Sequence, residues 1–448
     1  MAATYLTRTN SGAGSETTST FSVWFKRLST TGTQYLLHTS EDANNKLTIS
    51  FNGSFNVIGT NNSSTVMNLT PTRVFRDVSA WYHLVVAFDT TQATEADRVK
   101  LYINGVQETS FSTATYPSQN LNLKLNQSGD RRTVGTAYDK GGSPSAAYWD
   151  GLMTQVIWVD GTAYPASTFG STNSTSGEWT PNSSPSVTYG TNGFKLTFED
   201  TSALGDDTSG NTNDFTMSGS GTPTLDCPSN NFPTFNNLIR QASKNNLNLM
   251  QGNLYSAGNG ANNWRSSFMT LAAKTGKYYC EMKCIGTDGS SQNYGVSDVN
   301  QFNTGPNDSF DFASQSRGYG LNPNGNKVNN GGAVSTGSTY TTNDIVGMAL
   351  DLDNGKIYFS KNGTYYLSGD PTSGSTGTGS FFDITTGYIY SPTVAIYGAA
   401  DNMAFNFGNG YFRTNAVTSA GTPGSTVGVF EYDVPTGYQP WSTKGINV

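Results

Sequence analysis

Hydrolysis of a glycosidic bond needs two carboxyl groups across the bond, one to protonate the leaving oxygen and one to attack or to activate water. The sequence has no Glu-x-Asp-x-x-Glu run that would set such groups on one strand face. Glu95-Ala96-Asp97 falls in a polar connection and Glu431-Tyr432-Asp433 near the C terminus, so neither reads as a catalytic pair. An imidazole that activates a nucleophile or holds a metal would have to be His38 or His83, the two histidines of the chain. His38 follows Leu36-Leu37, and His83 lies inside Trp81-Tyr82-His83-Leu84-Val85-Val86-Ala87-Phe88. Such apolar surroundings favour packed, hydrogen-bonded core histidines over catalytic ones.

The densest set of hard oxygen donors is Asp206-Asp207-Thr208-Ser209-Gly210-Asn211-Thr212-Asn213-Asp214. Calcium, the one candidate ion, takes oxygens of this kind, with Asp206, Asp207, Asn211, Asn213 and Asp214 as ligands. The same residues also build a tight loop, because Asp and Asn side chains bond their own backbone, and the spacing does not fit an EF-hand. No other cofactor is expected. Aromatic rings beside loops can stack on sugars while neighbouring polar groups hydrogen-bond the hydroxyls. The candidates are Tyr138, Tyr148 and Trp149 in the first half and Tyr319, Tyr365 and Tyr366 in the second.

Short strands must position these groups. Phe21 to Leu28, Lys46 to Phe51, Trp81 to Asp89, Arg98 to Asn104, Leu121 to Leu125, Leu152 to Val159 and Gly193 to Phe198 read as strands separated by turn residues. The run from Trp81 to Phe88 is apolar on both faces, as a central sandwich strand is. Asn104-Gly105, Asp353-Asn354-Gly355 and Asn362-Gly363 suit tight hairpins. In the second half the strands are Tyr278 to Ile285, Tyr294 to Ser297, Gly318 to Leu321, Ile345 to Leu352, Lys356 to Lys361, Thr393 to Tyr397 and Met403 to Phe407. Alternation puts Cys280, Met282 and Cys284 on one face and Glu281 and Lys283 on the other, which reads as buried thiols in a core strand. Ser368 to Ser380, rich in Gly, Ser and Thr, reads as a long mobile loop.

At ~100 to 200 residues per domain, 448 residues hold two or three units. Pro223, Pro228 and Pro233 interrupt the strand rhythm, which places a linker over 221–244 between domains over 1–220 and 245–448. The fold class is therefore all-β, two antiparallel β-sandwich (jelly-roll) domains in tandem. A net charge of -7 with no basic cluster argues against nucleic acid as partner. No apolar stretch reaches the ~20 residues that span a bilayer, and no signal peptide precedes the first strand.

Ordered motifs then resemble known families. Trp81-Tyr82-His83-Leu84-Val85-Val86, Asp89, Val99-Lys100-Leu101-Tyr102-Ile103-Asn104-Gly105, and Trp149-Asp150-Gly151 through Val159-Asp160-Gly161 to Phe169-Gly170 resemble the laminin-G or concanavalin-like jelly roll, over roughly residues 1 to 220. Gly276-Lys277-Tyr278-Tyr279-Cys280-Glu281, Gly318-Tyr319-Gly320-Leu321, Asp344-Ile345-Val346-Gly347-Met348-Ala349-Leu350-Asp351, Ile357-Tyr358-Phe359-Ser360-Lys361-Asn362-Gly363 and Met403-Ala404-Phe405-Asn406-Phe407-Gly408 resemble a SPRY domain in order, over about 245 to 412. That resemblance implies a bent sandwich that binds ligands through loops without catalysis.

The two modules joined by Cys227-Pro228-Ser229-Asn230-Asn231-Phe232-Pro233-Thr234-Phe235-Asn236, with the opening Tyr5-Leu6-Thr7-Arg8-Thr9 and Phe21-Ser22-Val23-Trp24-Phe25-Lys26-Arg27, resemble virion proteins of tailed bacteriophages. The likeness implies a non-enzymatic structural component on the virion surface, made in the host cytoplasm. As a tail-fibre or spike adhesin it would hold a host-surface saccharide or receptor. As an architectural protein it would decorate the capsid or connect particle parts, attached through a sandwich face or the tail after Phe430. A polysaccharide-degrading enzyme is the more distant alternative. Other virion proteins and copies of itself are the expected partners.

Overall fold

The computed structural model describes residues 4–236, 247–250, 252–258, 263–301, 310–413, 415–421 and 427–446. The chain divides into two compact units, Met1–Pro223 and Thr224–Val448, and both are built of antiparallel sheets, save that Gln439–Pro440 pairs in parallel with Tyr278–Tyr279 in the second.

The first unit has two large sheets. One contains β1 (Tyr5–Thr9), β3 (Thr33–Ser40), β4 (Lys46–Asn52), β5 (Ser54–Asn61), β6 (Ser64–Pro71), β10 (Phe111–Thr115), β11 (Arg131–Val134) and β18 (Thr216–Ser218), in the order β10-β6-β5-β4-β3-β11-β1-β18. The other contains β2 (Thr18–Arg27), β7 (Trp81–Asp89), β8 (Val99–Ile103), β9 (Val106–Gln107), β14 (Gly151–Asp160) and β17 (Phe194–Leu196), in the order β17-β14-β2-β7-β8-β9. Two hairpins, β12–β13 (Thr136–Tyr138, Pro144–Tyr148) and β15–β16 (Gly170–Thr172, Trp179–Pro181), complete it.

Alternation sends Leu47, Ile49 and Phe51 of β4 into a core shared with Phe21, Val23 and Phe25 of β2. The outer face of the six-stranded sheet is apolar too, because residues 161–192 cover it. Val85, Ile157 and Val159 pack there against Ala166 and Phe169, with Tyr164, Trp179 and Tyr189 half-buried around them. His83 lies under this cover, stacked between Trp24 (4.7 Å) and Trp179 (6.0 Å). Trp179 Nε1 can only donate, and it does so to His83 Nδ1 at 2.9 Å. The neutral ring therefore carries its proton on Nε2 and donates to Ser22 Oγ at 2.9 Å. Burial drives its pKa down to about 3, so His83 is a packing residue.

Asn104 and Gly105 both have positive φ (49° and 79°), the two-residue turn expected between β8 and β9. A Cβ on Gly105 would also strike the Trp179 ring at 2.5 Å. Leu121 to Leu125 is not a strand. Positive φ at Asn120 and Lys124 breaks the extension, while Leu123 and Leu125 still reach the core as isolated anchors.

In the second unit, β19 (Asn248–Met250), β20 (Tyr255–Ala257), β22 (Lys277–Gly286), β27 (Ile345–Asp351), β28 (Lys356–Lys361), β29 (Thr364–Tyr365) and β32 (Asn402–Asn406) form one sheet in the order β19-β20-β32-β22-β27-β28-β29, with β30 (Phe382–Asp383) added on β28. The facing sheet runs β21-β31-β23-β24-β25-β26, made of β21 (Arg265–Phe268), β23 (Gln292–Asp298), β24 (Gly318–Leu321), β25 (Asn326–Asn329), β26 (Gly332–Ser335) and β31 (Tyr390–Ile396). Cys280, Met282 and Cys284 enter the core between the sheets, and Cys280 Sγ lies 3.2 Å from the Tyr294 hydroxyl. Asn362-Gly363 repeats the turn of Asn104-Gly105, with φ of 48° and 82°.

Three expectations are corrected here. The linker expected over 221–244 is not a free connector in its described part, since Phe232 and Phe235 are buried in the second core; residues 237–244 lie outside the described residues, as does the start of the domain expected over 245–448. Ser368 to Ser380 is built of 3₁₀ turns, one of them capped by Asp370, whose carboxylate accepts from Thr372 N. The tail after Phe430 is folded: Phe430, Val434 and Tyr438 pack with Tyr279, Ala349 and Tyr358 on the outer face of β22, β27 and β28.

Glu281, on that outer face, is consequently buried. Its carboxyl accepts from Glu431 N and Tyr432 N (both 2.9 Å), from the Tyr279 hydroxyl (3.2 Å) and from Asn406 Nδ2 (3.3 Å). Burial pushes its pKa up to about 7 against these donors. Replacing Glu281 by Ala leaves two backbone N–H groups without an acceptor, so the expected cost is about 2–4 kcal/mol. Urea denaturation should show that loss, and limited proteolysis should cut within 427–446 faster than in wild type; equal proteolysis would sink the anchoring role.

Candidate functional site

The outer face of β3, β4 and β5 lines a cleft of about 390 Å³. Ladder pairing builds its floor in rows: Tyr35, Ser50 and Asn56; His38, Thr48 and Ile58; Lys46 and Thr60. Tyr35 and His38 are three residues apart and in a regular strand would point to opposite faces. A bulge between Tyr35 and Leu37 puts both on the outside, while Leu36 and Leu37 both go into the core. His38 is buried and hydrogen-bonded, as expected, but on the outer face beneath the cleft and not between the two sheets.

The hairpin β12–β13 forms one wall, contributing Ala137, Asp139, Ser143 and Ser145. Asp139, at its tip, accepts from His38 Nε2 at 2.9 Å and from Lys46 Nζ at 3.1 Å. With Nε2 donating, the neutral ring accepts from Thr48 Oγ1 at Nδ1, 3.1 Å away. His38 is only 1% exposed, and burial lowers its pKa against the raising pull of Asp139. The His38 hydrogen bond, more than Lys46, holds Asp139 below its ordinary range. Arg131 ties the tip down further, donating to the Asp139 carbonyl at 3.2 Å and stacking over Tyr138 at 3.9 Å. Ser50 Oγ donates to Asn56 Oδ1 at 2.8 Å and Thr33 Oγ1 to Asn52 Oδ1 at 3.2 Å, so hydroxyls and amides of the floor are pre-ordered beside the Lys46–Asp139 ion pair.

The aromatic candidates do not assemble into one platform. Tyr138 and Tyr148 gather around Tyr5, at 6.1 and 6.0 Å, on the hairpin beside the cleft but not among its lining residues. Trp149 packs its ring on Phe25 and Phe51 at the edge of the core. Tyr319 is buried among Phe382 and Tyr390, which corrects its assignment as an exposed ring. Tyr365 and Tyr366 are half-buried against two different cores, and the Tyr366 hydroxyl donates to the Thr339 carbonyl at 2.9 Å.

The oxygen-rich segment is a loop held by its own side chains. The Asp207 carboxylate accepts four hydrogen bonds, from Lys195 N, Ser209 N, Ser209 Oγ and Asn213 N, at 2.8–2.9 Å. Asp214 accepts from Asp207 N, Asn213 Oδ1 accepts from Arg8, and Asn211 donates to the Gly190 and Gly193 carbonyls. Asp206 is exposed at the loop's start. The turn reading accounts for these contacts, and among the described residues no group of three or more His, Cys, Asp or Glu is arranged to hold a metal. No described helix is long and apolar enough to cross a membrane.

Asp139 and His38 both have folded pKa values below their unfolded ones, 3.8 and 6.5. Their stabilisation is thus complete above pH 6.5 and is lost as pH falls through and below those values. Asp139→Ala should cost about 1–2 kcal/mol by freeing the hairpin tip. The wild-type urea midpoint should fall as pH drops from 6.5 to 3, and at pH 7 the midpoint of Asp139→Ala should lie below that of wild type; an unchanged midpoint at pH 7 would rule out the hold of Asp139 on the hairpin tip.

Residues 2–167 match the family model of the concanavalin A-like lectin/glucanases superfamily, and residues 277–410 match that of the SPRY domain. A 100-residue stretch, 22% of this chain, is 31% identical to the ATP-dependent RNA helicase DDX1 of Xenopus laevis and covers 12% of its length, so this chain spans only a small part of that relative. Among solved structures, the SPRY domain of human HERC1 is 17% identical with a TM-score of 0.30, over 38% of this chain and 96% of that one. The heptameric SAP-like pentraxin of Limulus polyphemus is 15% identical with a TM-score of 0.28, over 36% and 72%. The two family-model matches, with the packing described above, place a concanavalin A-like jelly-roll domain over residues 2–167 and a SPRY domain over residues 277–410.

Proposed function

We propose that the cleft on β3–β5 is a saccharide-binding site and that the chain is a non-catalytic adhesin of a tailed-phage particle, a tail-fibre or spike component holding a host-surface glycan. The composition of the cleft carries the first part. Eight of its lining side chains are Ser, Thr or neutral amide, namely Thr33, Thr48, Ser50, Asn52, Asn56, Thr60, Ser143 and Ser145, and the half-buried Tyr35 offers one ring. Sugars are bound by such a mixture of hydroxyl-directed hydrogen bonds and a single apolar face. Asp139 is the one carboxylate among the lining residues, and it is held by His38 and Lys46. Two opposed carboxyl groups would be needed to cleave a glycoside, which supports binding without hydrolysis. The assignment to a phage particle rests on the likeness of module order and connector described above.

The full chain should bind a subset of glycans on an array, and whole host cells. Tyr35→Ala and Asn52→Ala should each weaken that binding by about tenfold or more, equivalent to ~1.4 kcal/mol, with little change in thermal midpoint. Wild-type binding by both variants would reject the cleft, and reducing-sugar release that disappears in Asp139→Asn would reject the non-catalytic part.

A further inference from the structure

Four arginines are buried among the described residues: Arg8, Arg27, Arg132 and Arg265. Arg8 donates to the Asn192 carbonyl and to Asn213, Arg27 to the Phe75 carbonyl, and Arg132 to the Leu125 carbonyl and Asn126. Arg265, 3% exposed, differs: none of its three guanidinium nitrogens has a hydrogen-bond partner. A guanidinium stays charged and keeps its donors in a fixed fork, so its burial without an acceptor is unfavourable unless something fills that place.

Strand register shows what surrounds it. Arg265 pairs with Ile396, which pairs with Gln292, so these three lie in one row across β21, β31 and β23. Ser256, Met403 and Cys284 form the corresponding row across β20, β32 and β22 of the facing sheet. Gln292 Nε2 meets Cys284 Sγ at 3.4 Å, which sets the rows opposite one another. Ser256 therefore faces Arg265 across the edge of the sandwich, and Ser267, two residues along β21, shares its face. The Ser256 and Ser267 hydroxyls are 0% and 4% exposed by residue, and both also lack hydrogen-bond partners. β21 is the outermost strand of its sheet, with Asn236 N and Phe310 N bonded to the Phe268 and Trp264 carbonyls at its ends, so this polar set lies toward the sheet's edge and not in the centre of the core.

We propose that Arg265, Ser256 and Ser267 form an oxyanion-binding site at the edge of the second unit, taking the carboxylate or phosphate group of a small ligand. The guanidinium fork supplies two parallel N–H donors and the hydroxyls supply the rest, the donor set that anionic oxygens take in preference to any neutral group. Burial lowers the pKa of Arg265 and no described carboxylate counters it, in contrast to Arg317, which Asp298 holds at 2.7 Å. The site is separate from the saccharide cleft and stands or falls independently of it.

The test follows the thermal midpoint of the full chain in sodium phosphate and in sodium acetate, against sodium chloride at the same ionic strength and pH 7. At least one of the two anions should raise the midpoint with saturation at millimolar concentration, and which one does so separates phosphate from carboxylate ligands. Arg265→Met should abolish the increment, and the double variant Ser256→Ala, Ser267→Ala should shift its half-saturation to at least fivefold higher anion concentration. A wild-type response no greater than that in chloride overturns the proposal, as does an equal response in Arg265→Met. Should Arg265→Met fail to fold, an unchanged half-saturation in the double serine variant overturns it on its own.

Discussion

A β-sheet has two faces and a sandwich core covers only one of them, so the structure turns on what lies over each outer face. Where the chain supplies an apolar cover, the outer strand positions are apolar too: residues 161–192 bury Val85, Ile157 and Val159, and the C-terminal segment buries Ala349 and Tyr358. Where it supplies only the narrow hairpin β12–β13, the outer positions of β3–β5 stay polar and a cleft remains beside it. The cleft is thus the part of an outer face that the hairpin leaves uncovered.

Each cover is fixed by one buried polar group with directional bonds. Apolar packing alone tolerates sliding, whereas a satisfied hydrogen-bond set specifies a single register. His83 pins Trp179 of the first cover, Glu281 pins Glu431 and Tyr432 of the C-terminal segment, and His38 with Lys46 pins Asp139 of the hairpin. Two of these anchors are uncharged or pushed toward the uncharged form by burial, His83 to about 3 and Glu281 to about 7. The third pairs the buried His38 with a partly exposed Asp139, which keeps its charge.

Much of this fold is legible in the sequence because the strand period is two and the turns are chemically marked. The alternation of β4, the two-faced β7, the buried row Cys280, Met282 and Cys284, and both Asn-Gly turns follow from it. The site is less legible for a definable reason. One extra residue at Leu36 inverts the parity of β3, so His38 changes from an apparent neighbour of core leucines to a cleft residue. Its partner Asp139 is 101 positions away and gives no local signal. Glu281 alternates like a surface residue and is buried only because a distant segment folds over it. Exposed rings could not be told from packed ones by composition, and Tyr319 fell on the wrong side of that division for the same reason: burial depends on non-local cover.

The size and chemistry of the cleft bear on how an adhesin of this kind would work. About 390 Å³ is near the lower end of the ~300–1,000 Å³ found for small-molecule sites, and Ser50 with Asn56 and Thr33 with Asn52 are already paired in the free protein. A sugar hydroxyl entering it exchanges hydrogen bonds with water for hydrogen bonds of similar strength, so the net gain per contact is small. One cleft therefore suits weak, reversible attachment, and firm adhesion would come from several copies engaging one glycan-bearing surface together, where effective concentration multiplies the single-site affinity. A pre-ordered floor serves that arrangement well, since little ordering cost is added each time a further copy binds.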